Sequence, residues 1–388
     1  MKLILASALL LLPAAAVATP VVPGATVESY ATAEWPAWMS FDQSSGELFT
    51  GVETGPPANV WRVATGGGPA APYGAPILDP DAVVHDAAGL MTGVPGSVLV
   101  GGRTGGTPIM YGILPAQTVV TVFGPSGWTN LSDMEFDPSG RLLFGDENGT
   151  NGRVFAATQP NQPPTVLFAV TGRVAGLEVD STGRIYTSTF DGKVRIHAAD
   201  GSVVSDPFLS GLGNRLLPIA LGNGGPWGTD LYTVNQFTGE LIRANAFADT
   251  TVIGTGFDGF LIDFEFGPDG ALYVSDLGLG RIWRIAPTTT DVAAVPAALG
   301  LRIEHPNPAR APFPIRYTLP AAGPARLRIY DLQGRSVRTL VEGGAGAGEH
   351  RTDWDGRDGA GQAMAAGVYW CRLEAGRATQ ASKILLLP

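Results

Sequence analysis

One pattern recurs along this chain and limits what it can fold into. Residues 263–285 read DFEFGPDGALYVSDLGLGRIWRI. Phe264 and Phe266 alternate with Asp263 and Glu265, the period of a half-buried strand. Pro268-Asp269-Gly270 is turn chemistry, because proline presets φ and glycine accepts a positive one. An apolar run over 271–275 and a second alternation over 281–285 follow. Residues 134–158, 177–200 and 39–63 repeat the pattern, and 83–113 and 219–244 are weaker copies. Aligned on the residue that ends the first strand, the copies fall at Asp42, Asp86, Asp137, Asp180, Gly222 and Gly267, in steps of 44, 51, 43, 42 and 45. A period of about 40–50 residues is that of a four-stranded propeller blade.

Fourth strands are expected at 118–123, 165–170, 203–208 and 250–253. The last unit lacks one of its own before the composition changes at Pro287. Residues 25–30 alternate as a strand and precede the first unit. They are expected to complete the last blade, which closes the ring and removes an exposed edge. The prediction is an all-β chain containing a six-bladed β-propeller over 19–286, the alternative being five blades or an open ring if the second unit is misread. The 53 Gly and 31 Pro suit many short strands and tight turns.

The runs DPSGRLLFGD, DSTGRIYTS and GPDGALYVSD resemble blades of six-bladed propellers of the NHL-repeat and gluconolactonase-like superfamily. That motif is structural, so the resemblance implies fold far more than activity.

Residues 287–296 (PTTTDVAAVP) are polar, β-branched and bounded by prolines, and read as a linker. The remainder, 297–388, carries about seven short strands, which suggests a β-sandwich. Its blocks Pro306-Asn307-Pro308, IYDLQGR at 329–335, WDGRD at 354–358, Gly367-Val368-Tyr369 and KILLL at 383–387 resemble the FlgD-type Ig-like domain found at the end of exported bacterial proteins. They are also similar to type IX secretion sorting domains. The resemblance implies an Ig-like fold and, less directly, sorting to the cell surface through the type IX machinery. Asp355-Gly356 and Asp358-Gly359 are read as turns, and Cys371 as a small buried hydrophobe. With one cysteine the chain can form no internal disulfide.

The N-terminus reads as a targeting signal. Met1-Lys2 is a basic start, residues 3–12 form an apolar stretch too short to span a bilayer, and Ala16-Val17-Ala18 is a small-x-small cleavage site. A mature chain from Thr19 is expected, exported to the cell surface, the medium or the periplasm, with no later membrane span.

Charge is divided unevenly. Residues 19–295 carry 12 Lys+Arg and 27 Asp+Glu, a net −15, whereas 296–388 carry 12 and 8, a net +4. An acidic propeller repels phosphates and argues against a nucleic-acid partner.

Propeller chemistry gathers on the axis, where the innermost strand of each blade faces. Two residues before the alignment point stand Ser40, Val84, Glu135, Glu178, Ala220 and Glu265; two earlier stand Trp38, Ala82, Asp133, Gly176, Pro218 and Asp263. Five carboxylates, Glu135, Glu178, Glu265, Asp133 and Asp263, are thus expected on innermost strands. Crowded carboxylates raise one another's pKa unless a cation compensates, and oxygen donors suit a hard ion. The expected cofactor is Ca2+ on the axis. The alternative is that these acids face water in an open channel or pair with Arg173 or Arg215. The gluconolactonase resemblance implies an axial metal held by Glu, Asn and Asp, yet no Asn occupies either column here, so those ligands do not carry over one by one.

Catalytic motifs are missing: there is no GxSxG, HExxH, P-loop or Cys–His pair. The GGRTGG run at 101–106 is read as a loop, and His85, beside Asp86, is a conceivable base but more simply structural. No catalytic residue is assigned. The expected function is an exported binding module that presents a ligand or protein face to an unidentified extracellular partner. Trp35, Trp38, Trp128 and Trp227 are candidates for that face, with core packing the alternative. A metal-dependent lactonase or esterase acting in the acidic channel is the competing reading, and a purely structural envelope protein the third.

Overall fold

The computed structural model describes residues 19–388 apart from 53–56, 126, 148–149, 161, 214–216, 237, 258–259, 289–299, 304–310, 320–321, 332, 347, 377 and 388. The leader at 1–18, most of the linker and Pro306-Asn307-Pro308 therefore lie outside the described residues. The chain separates into two compact units, residues up to 243 with 251–289 and residues 244–250 with those from 290 on. Among the described residues no helix is long and apolar enough to cross a membrane.

Six blades follow one another. Their innermost strands are Pro36–Phe41, Val83–Asp86, Leu131–Phe136, Val174–Val179, Ile219–Leu221 and Leu261–Phe266. Each packs beside the next, and the last beside the first, so the ring is closed. Blades three, four and five are antiparallel four-stranded sheets in sequence order. Blades one and two are likewise built but share one bridge, Leu78 to Arg103. Each blade is covered on both faces by its neighbours. This explains why Pro36–Phe41 is buried at every residue instead of alternating.

Closure occurs as expected. Ala25–Thr32 pairs antiparallel with Arg281–Pro287 and becomes the outer strand of blade six. Arg284 clamps the join, reaching Glu28 at 2.7 Å and Asp269 at 2.8 Å.

The repeated turn has a specific cause. In blade three Asp137 Oδ1 accepts from the Ser139 amide at 2.9 Å, the Ser139 hydroxyl at 2.6 Å and the Arg141 amide at 3.0 Å. Asp180 does the same with Thr182 and Arg184. At Asp42 burial pushes the carboxyl up, but the Ser44 and Ser45 donors overcome it and hold it at about 2. The Asp-x-Ser/Thr-Gly signature is therefore a side-chain-capped turn. The GGRTGG run departs from expectation. Gly101 to Thr104 lie in the strand Ser97–Thr104, and only Gly105-Gly106, with φ of 54° and 82°, form the two-residue hairpin turn.

The C-terminal unit is a two-sheet β-sandwich. One sheet orders Gly300–Ile303, Phe313–Leu319 and Gly348–Trp354; the other orders Ser336–Ala345, Gly323–Tyr330, Gly367–Ala375 and Ala378–Leu386. Trp354 is fully buried and meets Phe313 and Tyr369 edge-on. Cys371 lies in the same core at 0% exposure, and burial pushes its thiol far up. The native protein is expected to resist iodoacetamide at pH 8, with full alkylation only in denaturant. Alkylation of the folded chain at the rate of free cysteine would contradict this packing.

Candidate functional site

Two layers of side chains occupy the propeller axis. The outer limit of the site is set by Trp38. Its indole Nε1 donates to the Ala175 carbonyl at 3.3 Å. Trp38 belongs to blade one and Ala175 to blade four, which stand opposite each other in a six-membered ring. The indole therefore crosses the axis. Small residues at the same level, Ala82, Gly176 and Pro218, leave it room. At 1% exposure it fills the channel there, packed with Ala37 and Ile262.

Asp133 and Asp263 flank this plug on the opposed blades three and six. Neither carboxylate is spare. Asp133 Oδ2 accepts from the Leu177 amide of blade four at 2.8 Å, and Asp263 Oδ2 from the Met39 amide of blade one at 2.7 Å. Ser40 Oγ accepts from the His85 amide at 3.0 Å. Each ties its blade to the next.

One layer on, two residues or about 6.6 Å toward the turns between first and second strands, stand the glutamates. Glu135, Glu178 and Glu265 each place a carboxylate oxygen within 4.8 Å of the others. All three are half-buried. No Lys, Arg or His among the described residues pairs with any of them. Arg173, an expected partner, instead pairs with Glu147 and lies 4.1 Å over the Phe190 ring; Arg215 lies outside the described residues. Trp38, one layer behind them, is buried.

The electrostatics follow from that enclosure. Burial first, then the charges of Glu135, Glu265, Asp133 and Asp263, push Glu178 well above the usual range. Glu135 is raised by burial, then by Glu265 and Asp133. Glu265 is pushed to about 8 by burial and Asp133, against the Phe41 amide. Asp133 rises to about 7 by burial despite the Leu177 and Met134 amides, and Asp263 rises by burial and then by Asp133 and Glu265.

Of the five carboxylates expected on the axis, the structure thus gathers three and engages two as struts. The other members of the glutamate column, Ser40, Val84 and Ala220, bring no imidazole or amine. His85 stacks on Phe49 at 6.0 Å with Nδ1 4.0 Å from Asp42, in the side wall. Trp128 and Trp227 are core residues at 4% and 6% exposure; only Trp35, at 44%, stands on an open loop. The plug role of Trp38 was not read from sequence. The available signal was a lone bulky residue in a column otherwise small or acidic.

Comparison with known proteins agrees with both folds. Residues 308–379 match the family model of the FlgD Ig-like domain. A gluconolactonase from Xanthomonas campestris superposes with a TM-score of 0.56 at 12% identity, covering 69% of this chain and 95% of that one. PorZ, a surface component of the type IX secretion system of Porphyromonas gingivalis, aligns with a TM-score of 0.42 at 14% identity over 90% of this chain. The alignment spans 51% of PorZ, about half its length. No curated protein sequence matches the chain. The chain thus carries a FlgD Ig-like domain behind a β-propeller.

Proposed function

We propose that this is an exported binding protein whose propeller holds a hard divalent cation, Ca2+ by preference, on its axis. Glu135, Glu178 and Glu265 are the protein ligands. The observation that carries this reading is the convergence of three carboxylates with no cationic partner among the described residues. Like charges so placed either share protons or bind a cation. Ca2+ accepts six to eight oxygens, so three carboxylates leave positions for water or for oxygens of a bound partner. Asp133 and Asp263 hold the strands in place and add negative potential. The leader pattern at 1–18 supports export, and the C-terminal domain then serves sorting or surface attachment, with the type IX machinery as its candidate partner.

A lactone- or ester-hydrolysing activity is the second reading, because an open coordination position on an axial ion could polarise a carbonyl. The lack of an imidazole or amine in the glutamate column favours binding over catalysis.

The test is a thermal melt of the mature chain in EDTA and then in millimolar Ca2+. At a hundredfold excess over Kd, binding to the folded state should add about 2.7 kcal/mol. Glu178→Gln should abolish most of that gain. An unchanged midpoint in Ca2+ and in Mg2+ would leave the cluster as solvated wall. Lactone turnover that requires the ion and disappears with Glu178→Gln would favour the enzyme.

A further inference from the structure

The seam between blades three and four differs from its neighbours in what it buries. Among the described residues its apolar cluster holds five buried side chains, Leu177 and Ile185 of blade four among them. The clusters at the seams two–three and five–six hold fourteen each, and those at one–two and six–one hold eight each. Polar groups share the space. Thr187 stands opposite Leu177 and His197 opposite Ile185, so both face this seam. Ser132 Oγ occupies the place that a side chain on Gly145 would take, beside Val174 of blade four. All three residues are buried, and Ser132 Oγ, Thr187 Oγ1 and His197 Nδ1 have no hydrogen-bond partner among the described residues.

His197 is the member of this set that can change charge. It lies on the third strand of blade four, Lys193–His197, at 2% exposure, and its ring stacks on Phe168 of blade three at 3.9 Å and 19°. Phe168 belongs to Thr165–Thr171, the outer strand of its blade. A neutral imidazole leaves Nδ1 bare. An imidazolium would bury an N–H without an acceptor, and a charge with it, which costs more. The charged neighbours do not compensate. Arg195, buried two residues along the same face, repels a second cation. Asp206 attracts one, but its carboxylate already holds Arg195 Nε at 2.8 Å. Thr165–Thr171 and Ile185–Thr189 bring no charged group to the ring. In the turn 198–202 Asp200 is exposed and accepts from Ser202, and Arg141 of blade three donates to the Ala199 carbonyl at 2.9 Å. Burial accordingly holds the imidazole below its ordinary pKa, with Asp206 opposing and Arg195 assisting.

We infer that the seam between blades three and four is an acid-labile latch: neutral His197 stacked on Phe168 holds it shut, and protonation of the ring parts Thr165–Thr171 from blade four. Once the seam has parted, the imidazole is hydrated and titrates near its free value of about 6.5. With the seam shut the ring resists the proton, and with it parted the ring accepts one, so opening is favoured as pH falls below that value. The small apolar cluster and the orphaned hydroxyls of Ser132 and Thr187 keep the closing energy of this seam low, so that one proton weighs against it. The inference does not rest on the axial cation.

Hydrogen exchange of the full mature chain in EDTA, at pH 7 and at pH 5, reads the latch segment by segment. Protection factors, which remove the intrinsic pH dependence of exchange, should fall about tenfold over residues 165–171 between the two pH values, the linkage of one proton across this window. They should hold over 250–254, the outer strand of blade five. The axial acids move global stability the other way, so the readout has to be local. His197→Phe keeps a stacking ring that takes no proton, and its protection over 165–171 should not depend on pH. His197→Gln, smaller and equally unable to ionise, should give the same flat profile from a lower starting value. Thr187→Val removes one orphaned hydroxyl and should raise protection there at both pH values while leaving the tenfold fall in place. The inference is overturned if the parent shows equal protection over 165–171 at both pH values, or if both His197 variants lose it as the parent does. It is equally overturned if 250–254 loosens as much as 165–171, which would be general acid loosening of the ring.

Discussion

Replacing Trp38 with alanine is expected to remove about 3–5 kcal/mol of stability, the cost of emptying a fully buried tryptophan site. The effect should sit at the high end because the space lies on the axis. The opposed inner strands cannot close on it without moving whole blades, each fixed between two neighbours. In a domain of this size the propeller transition should fall by about 6–20 °C. Trp38→Phe should recover part of the loss, because it refills most of the volume but cannot donate to the Ala175 carbonyl. A loss below about 1 kcal/mol for the alanine variant would mean that the indole does not plug the channel.

The second large effect is pH dependence of the cation-free protein. The axial acids have higher pKa values folded than unfolded: Glu265 is at about 8, Asp133 at about 7, and Glu135, Glu178 and Asp263 are well raised. Between the unfolded value, near 4–4.5, and the folded one, the native state holds more protons than the unfolded chain. Their contribution is therefore full below about pH 4 and is lost as pH rises through 7 to 8. Urea denaturation in EDTA should show stability falling from pH 5 to pH 9, by about 1.4 kcal/mol for each unit of displacement per group. Glu178→Gln should flatten that fall and stabilise the EDTA-treated protein at pH 8, since it removes one like charge. The same substitution should weaken Ca2+ binding, and in the parent millimolar Ca2+ should itself flatten the slope. A flat profile in EDTA would show that the carboxylates are fully hydrated. The surface turns act in another window: Asp42, held at about 2, stabilises the fold above about pH 4, and that contribution is lost as pH falls toward 2.

Much of the fold was legible because it is local. A blade is written in strand alternation and a tight turn, both properties of fewer than ten consecutive residues, and the spacing of Asp42, Asp86, Asp137, Asp180, Gly222 and Gly267 counts the blades. The closing strand was legible for a different reason. Residues 25–30 read as a strand without a partner, and unit six lacked one. The site was legible only in part. Parity placed five carboxylates on innermost strands, but parity does not say what each meets. Asp133 and Asp263 turn to backbone amides of the next blade, while Glu135, Glu178 and Glu265, one layer on, find one another.

What the sequence determined by itself is therefore the repeat, its period and the ring closure, because each follows from backbone periodicity and turn chemistry. What only the tertiary structure decided is which side chains converge. Trp38 and Ala175 are 137 positions apart, and Glu135 and Glu265 stand on opposed blades. No local pattern links them, and their proximity exists only once the ring has closed.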